Sequence, residues 1–221
     1  MSDTQAFGTP PSSGATRQPP PWEREGPLTA RFVDTVREVT LQPVPFFKGL
    51  AREGGLGAPL LYAVIGLLIG GAASVIYQLF LPFGPVGLGG PGGAAAFGAG
   101  YLIMLPVLGI VGLFIMSGLL HVLLMLIASS KQPFETTFRV MAYTMGTTSL
   151  ANLVPIVGGI ASGIWSLILL VVGSSEAHEV PVAQAAIAVL VPVVLCCVLF
   201  ALFWGVVAAL IFGGVAAGLA S

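Results

Sequence analysis

Apolar and charged positions in this chain separate into long blocks rather than a fine alternation. Residues 54–130, 140–175 and 180–221 contain no Lys, Arg, Asp or Glu. A helix needs roughly 20 apolar residues to cross a hydrocarbon core, and a charge at its centre costs about 2.5–3.5 kcal/mol on insertion scales. Each block therefore holds at least one span. The pattern predicts an all-α polytopic transmembrane helical bundle of about five spans, at about 58–81, 99–129, 140–154, 156–173 and 183–212, within a membrane domain covering 58–213.

The block from 140 to 175 exceeds one span, and Pro155, Gly158 and Gly159 interrupt its middle. Two short spans joined by a tight turn, or a re-entrant hairpin, both fit. The stretch 82–98 reads as an uncharged Gly/Pro-rich loop, and Pro106 predicts a kink early in the second span. In the first span Gly66, Gly70 and Ser74 form a small-residue stripe that lets another helix approach closely. The third is unusually polar, and Thr144, Thr147, Thr148, Ser149 and Asn152 should turn away from lipid, either lining a cavity or acting as packing contacts. Trp165, in mid-span, should pack inside with its N–H satisfied.

Ahead of the membrane domain, residues 1–21 form a Pro/Ser-rich tail expected to be disordered, without the apolar core of a signal peptide. Residues 22–57 are amphipathic: Leu28, Phe32, Val36 and Val39 share one helix face, and Phe46, Phe47 and Leu50 follow Pro43 and Pro45. This segment reads as interfacial, lying against headgroups, or as a helical hairpin packed on the end of the bundle. A short tail, 214–221, closes the chain.

Composition agrees with the pattern: 56% of residues are hydrophobic and 8% charged, against about a quarter charged in soluble domains. Arg17, Arg24, Arg31, Arg37, Lys48 and Arg52 precede the first span, and Lys131 and Arg139 flank the turn after the second. With the N-terminus in the cytoplasm all eight are cytoplasmic, as the positive-inside bias requires, and five spans place the C-terminus outside. Cys196 and Cys197 are adjacent within an apolar block and read as packing residues.

No HExxH, GxxxxGK[ST] or GxSxG signature occurs, so no catalytic residue, cofactor or metal is assigned and the chain is not expected to be an enzyme. The ionisable residues after the first span do converge on one side. His121 is the titratable group well inside an apolar span, and such a group is a functional candidate by default. Ser117, one turn away, is a candidate partner for it. Glu135 and Arg139 stand at i, i+4, read as helix-end charges, with Tyr143 one turn on. Glu176 and His178 lie in the next cytoplasmic turn. Together with Asn152 these form the candidate polar cluster: His121, Glu135, Arg139, Tyr143, Asn152, Glu176 and His178.

Three ordered pieces carry a resemblance: LQPVPFFKGL with GGLGAPLLYAV after it, His121 through FETTFRVMAY, and LVPIVGGIASGIW ending in GSSEAH. Over roughly residues 41–190 the chain resembles the Yip (Ypt-interacting protein) domain family, particularly its bacterial branch. The resemblance implies a five-span membrane domain with a cytoplasmic N-terminus, and places family-like positions at His121, Phe138, Arg139, Tyr143, Pro155, Gly158, Trp165, Gly173 and His178. Eukaryotic relatives associate with small Rab-type GTPases in vesicle traffic. Their DLYGP stretch is absent here, so the resemblance does not extend GTPase binding to this chain.

Two functions are thereby expected: a membrane-organising protein acting through contacts in the bilayer, or a small permease, channel or lipid-handling protein with a polar cavity at its cytoplasmic side. The partners implied are membrane lipid, other membrane proteins or further copies of the chain, with no nucleic acid. The localisation implied is a multi-pass protein of the bacterial cytoplasmic membrane.

Overall fold

A computed structural model describes residues 19–80, 90–155 and 157–220, which are helical throughout apart from short connections. The expected tail through residue 18, the last residue of the expected first span and residues 82–89 of the expected loop lie outside the described residues. A 3-10 turn at Pro21–Glu23 precedes α1 (Leu28–Leu41), α2 (Pro43–Gly49), α3 (Gly57–Phe80), α4 (Gly90–Ala128), α5 (Phe134–Ser149), α6 (Val157–His178) and α7 (Val182–Ala220). Pro133 sits just before α5 and Glu135 in its first turn, where its charge suits the helix dipole. A second 3-10 turn, Leu150–Leu153, carries α5 to Val154, which is extended as a residue before proline must be.

Side-chain pairing fixes how the helices run. Tyr62 bonds Thr147 and Tyr77 bonds the Leu153 carbonyl, so α3 and α5 are parallel. His121 meets Thr137 and Phe114 meets Phe138, which makes α4 antiparallel to α5. Ser166 bonds Thr148 and Gly173 packs on Val140, so α6 returns beside α5. Helices α3 to α6 thus traverse the bundle in alternating directions, and α7 starts back from the end where α6 stops, its first turns packed on α4 and α6.

Four of them are long and apolar enough to cross a membrane: α3 over Gly57–Tyr77, α4 over Gly98–Ala128, α6, and α7 over Val182–Ala208. The fifth, α5, is shorter and more polar, and the fold places it at the centre. Its Thr136 to Val140, Thr144 and Thr147 to Ser149 are all buried, so its hydroxyls are kept off the outer surface of the bundle. With its 3-10 turn it reaches from the level of Gly55 to that of Tyr77, the full height of α3. The sequence placed this traverse at about 140–154. It begins at Phe134 because the charged stretch containing Glu135 and Arg139 is folded into the helix, where those charges find partners.

Other boundaries also move. The expected loop at 82–98 ends early, since α4 already begins at Gly90; Pro91 suits a first turn and Ala94–Ala96 are strong helix formers. Pro106 and Pro192 both lie inside continuous helices. Trp165 packs against the core as expected, but its indole N–H finds no partner.

The segment before α3 is a hairpin packed on one end of the bundle, called here the capped end. Phe46, Phe47 and Leu50 are buried with Val39 and Tyr143. Gly173 on α6 leaves the room that the Phe47 ring fills. Leu28, Val33, Leu41 and Val44 remain exposed along the hairpin's outer edge.

Candidate polar site at the capped end

The most buried cation of the described chain organises this end. Arg139 is 0% exposed. It donates two hydrogen bonds from Nη2 to the Glu23 carboxylate, at 2.5 and 2.6 Å, and one from Nη1 to the Gly55 carbonyl at 3.1 Å. The Tyr143 hydroxyl donates to the same carboxylate at 2.5 Å. Glu135 stands 3.7 Å from Arg139 and accepts the Gly55 N–H at 2.6 Å. Arg139 is therefore no solvated boundary charge; burial of a guanidinium is tolerated because carboxylates and a carbonyl surround it.

Glu23 reaches this seat because the turn carrying it is locked by its neighbour. The Trp22 indole donates to the Ala58 carbonyl at 2.7 Å and packs edge-on against Phe32 and Tyr62. The Arg31 guanidinium lies 5.3 Å over the Trp22 ring. Residues 19–21, placed by sequence in the tail, belong to this cap, with Pro20 and Pro21 buried.

A second network joins the two histidines. His121 Nδ1 lies 2.9 Å from the Thr137 hydroxyl, which lies 3.0 Å from His178 Nε2; His178 Nδ1 lies 2.8 Å from the Ser130 hydroxyl. The Gln132 N–H donates to Ser130 Oγ, which leaves that hydroxyl free to donate onward. One direction then gives every hydroxyl proton of the chain an acceptor: Ser130 donates to His178, His178 to Thr137, and Thr137 to His121. In that direction both imidazoles carry their proton on Nε2. The reverse would leave the Ser130 hydrogen without an acceptor. Ser129 and Glu179, both with positive φ, stand just past the ends of α4 and α6 and turn the chain there. Non-glycine residues seldom adopt this conformation.

Thr137→Val is expected to unfold more easily by about 1–3 kcal/mol, the cost of stranding buried polar groups, with Thr137→Ser near wild type. Thermal unfolding in detergent measures both, and equal stability of all three proteins would contradict the relay.

The structure brings together five of the seven candidates: His121 and His178 in one network, and Glu135, Arg139 and Tyr143 in the other. Glu176, half-buried on α6, makes no ion pair or hydrogen bond among the described residues. Asn152 sits in the 3-10 turn at the opposite end of α5. Ser117 does not partner His121; its buried hydroxyl has no partner. Among the described residues no group of three His, Cys, Asp or Glu side chains could hold a metal ion. Sequence reasoning missed Glu23, Trp22, Ser130 and Thr137. Only the Trp-Glu pair after three prolines offered a signal, an aromatic and an acid where the composition of a tail should have continued.

A family model described as the Yip1 domain matches residues 37–205. No curated protein and no solved structure matches the chain.

Proposed function

This chain belongs to the Yip1 domain family, and from that premise we propose that it is a non-enzymatic protein that organises membranes by binding other membrane proteins, or further copies of itself, within the bilayer. Its N-terminus lies in the cytoplasm and its C-terminus outside. The capped end, with Arg139, Glu135, Tyr143, His121 and His178, is a positioning device for the cytoplasmic hairpin.

One observation supports this reading above others: α7 leaves the bundle. Ala185, Ala188 and Val189 are buried against α4 and α6, whereas Val193 to Val206 are exposed on every face. That free length carries a small-residue row, Cys197, Ala201 and Gly205, at four-residue steps. Among the described residues, a Cβ at Gly205 would meet nothing within 4 Å. Rows of this kind let helices approach closely in lipid, where dispersion and close backbone contact drive association. The comparable row on α3 is already occupied: Gly66 abuts Gly146 and Gly70 abuts Ser149 within the same molecule.

Cys196→Ser protein, oxidised in native membranes, is expected to form Cys197–Cys197 dimers, or to trap another protein from a photoreactive residue placed at Ala201. Gly205→Leu should abolish either product while leaving the fold intact. A strictly monomeric protein that captures nothing from position 201 would overturn the reading.

A further inference from the structure

We infer that α4, α5 and α6 form a lateral binding cleft for a neutral, lipid-soluble molecule that carries a hydroxyl or carbonyl oxygen on an extended apolar chain. The cleft encloses about 330 Å³, at the lower end of the roughly 300–1,000 Å³ of small-molecule sites. Its walls are Leu113 and Met116 of α4 with Leu170 of α6, and its floor is α5, where Met141 and Met145 flank Thr144. Methionine walls adapt to irregular apolar shapes.

The floor supplies the polar handle. Thr148 donates to the Thr144 carbonyl and accepts from Ser166, and Ser149 donates to the Met145 carbonyl. The donor capacity of these three hydroxyls is spent. Thr144 differs: it lines the cleft at 1% exposure, and its hydroxyl has no partner. A buried hydroxyl left unpaired costs roughly 1–3 kcal/mol, which an oxygen-bearing guest would recover.

Three features narrow the guest. No lining residue is titratable, so an ionised group would sit without a counter-charge. At 1.5 Å per residue, Thr144 lies about 15 Å from the start of α5 and Ser166 about 18 Å from the capped end of α6, near the middle of a core roughly 30 Å thick. Phospholipid esters and phosphates stay at the surface, whereas the oxygen of a long-chain alcohol or quinone can reach this depth. The cleft also has an entrance from lipid, because α7 is buried against its neighbours only as far as Pro192 and every residue from Val193 to Val206 is exposed. Gly112 lines the cleft, and a Cβ there would meet nothing within 4 Å, so only a larger side chain would fill the space.

The test uses the full chain in nanodiscs of phosphatidylethanolamine and phosphatidylglycerol, with a diazirine-bearing long-chain alcohol and peptide mapping of the label. Label is expected within 109–116, 141–149 and 162–170, and excess geranylgeraniol or decylubiquinone should compete it, their relative potency separating alcohol from quinone. Thr144→Val keeps the shape and removes only the unpaired hydroxyl, so the protein should fold and lose labelling about three- to tenfold, the worth of one neutral hydrogen bond. Gly112→Leu should abolish labelling and Gly112→Ala should not. The inference fails if a phospholipid with the same diazirine on its acyl chain labels these peptides equally, if Thr144→Val labels like wild type, or if the cleft crosslinks instead to a second copy.

Discussion

Replacing Glu23 by alanine is expected to destabilise the folded protein by about 3–5 kcal/mol, the usual consequence of removing one partner from a buried ion pair. Arg139 is fully buried and Glu23 nearly so, so the guanidinium cannot turn to water when its carboxylate is deleted. Glu135 remains, but at 3.7 Å and already engaged with the Gly55 N–H it cannot replace two short bonds. Tyr143 loses its acceptor at the same time. The cap should loosen with it, since the 3-10 turn then loses its bonds to α5, and trypsin should reach Arg24 and Arg31 faster than in wild type.

A double-mutant cycle decides whether the pair itself is responsible. Glu23→Ala with Arg139→Met removes both charges and fills the guanidinium's volume with an apolar side chain, and such replacements are often neutral. The double variant should therefore be more stable than Glu23→Ala alone, measured by equilibrium unfolding in mixed micelles. If Glu23→Ala costs less than about 0.5 kcal/mol, the range of an exposed pair, the latch has no energetic role.

This latch also marks the limit of what the sequence disclosed. The membrane class, the helical fold and most of the traverses were legible because charge exclusion from lipid writes itself into long uniform blocks. The break at Pro155 was legible for a similarly local reason, as a proline followed so closely by Gly158 and Gly159 disfavours continuing a helix. Glu23 and Arg139 are 116 residues apart, and no period or motif links an acid in a proline-rich lead-in to an arginine at a helix start. Arg139 consequently read as a boundary charge. The histidines were recognisable singly, by their apolar surroundings, but Thr137 and Ser130 were ordinary hydroxyls until the α4–α5–α6 packing set them between rings. Asn152 was grouped with the cluster by its polarity alone, and helix length carries it to the other end.

The family-like glycines show the converse, residues whose identity is plain from sequence and whose reason appears only in the packing. Gly158 lies against the Ala151 carbonyl, letting α6 start tight beneath the 3-10 turn, and Gly173 admits Phe47 and Val140. In both places a missing side chain is filled by a neighbour that sequence could not name.

Gly66→Ala is the sharpest test of that packing, and it is expected to destabilise by more than the usual 1–3 kcal/mol of an overpacked core. A Cβ at Gly66 would overlap the Gly146 carbonyl and Cα, and one at Gly70 the Ser149 carbonyl. These are backbone atoms of a buried helix, with no flexible side-chain end to move aside. Relief requires α3 and α5 to separate, which breaks the Tyr62–Thr147 bond and opens the ring contacts among Trp22, Tyr62 and Tyr143. Gly112→Ala and Gly205→Ala are the matched controls. Both glycines face open space, so alanine there should leave stability unchanged or raise it by up to about 1 kcal/mol through helix propensity. Unfolding in detergent compares all three. If Gly66→Ala behaves like the controls while self-association falls, the α3 row faces another molecule rather than α5, and the partner surface assigned to α7 moves with it.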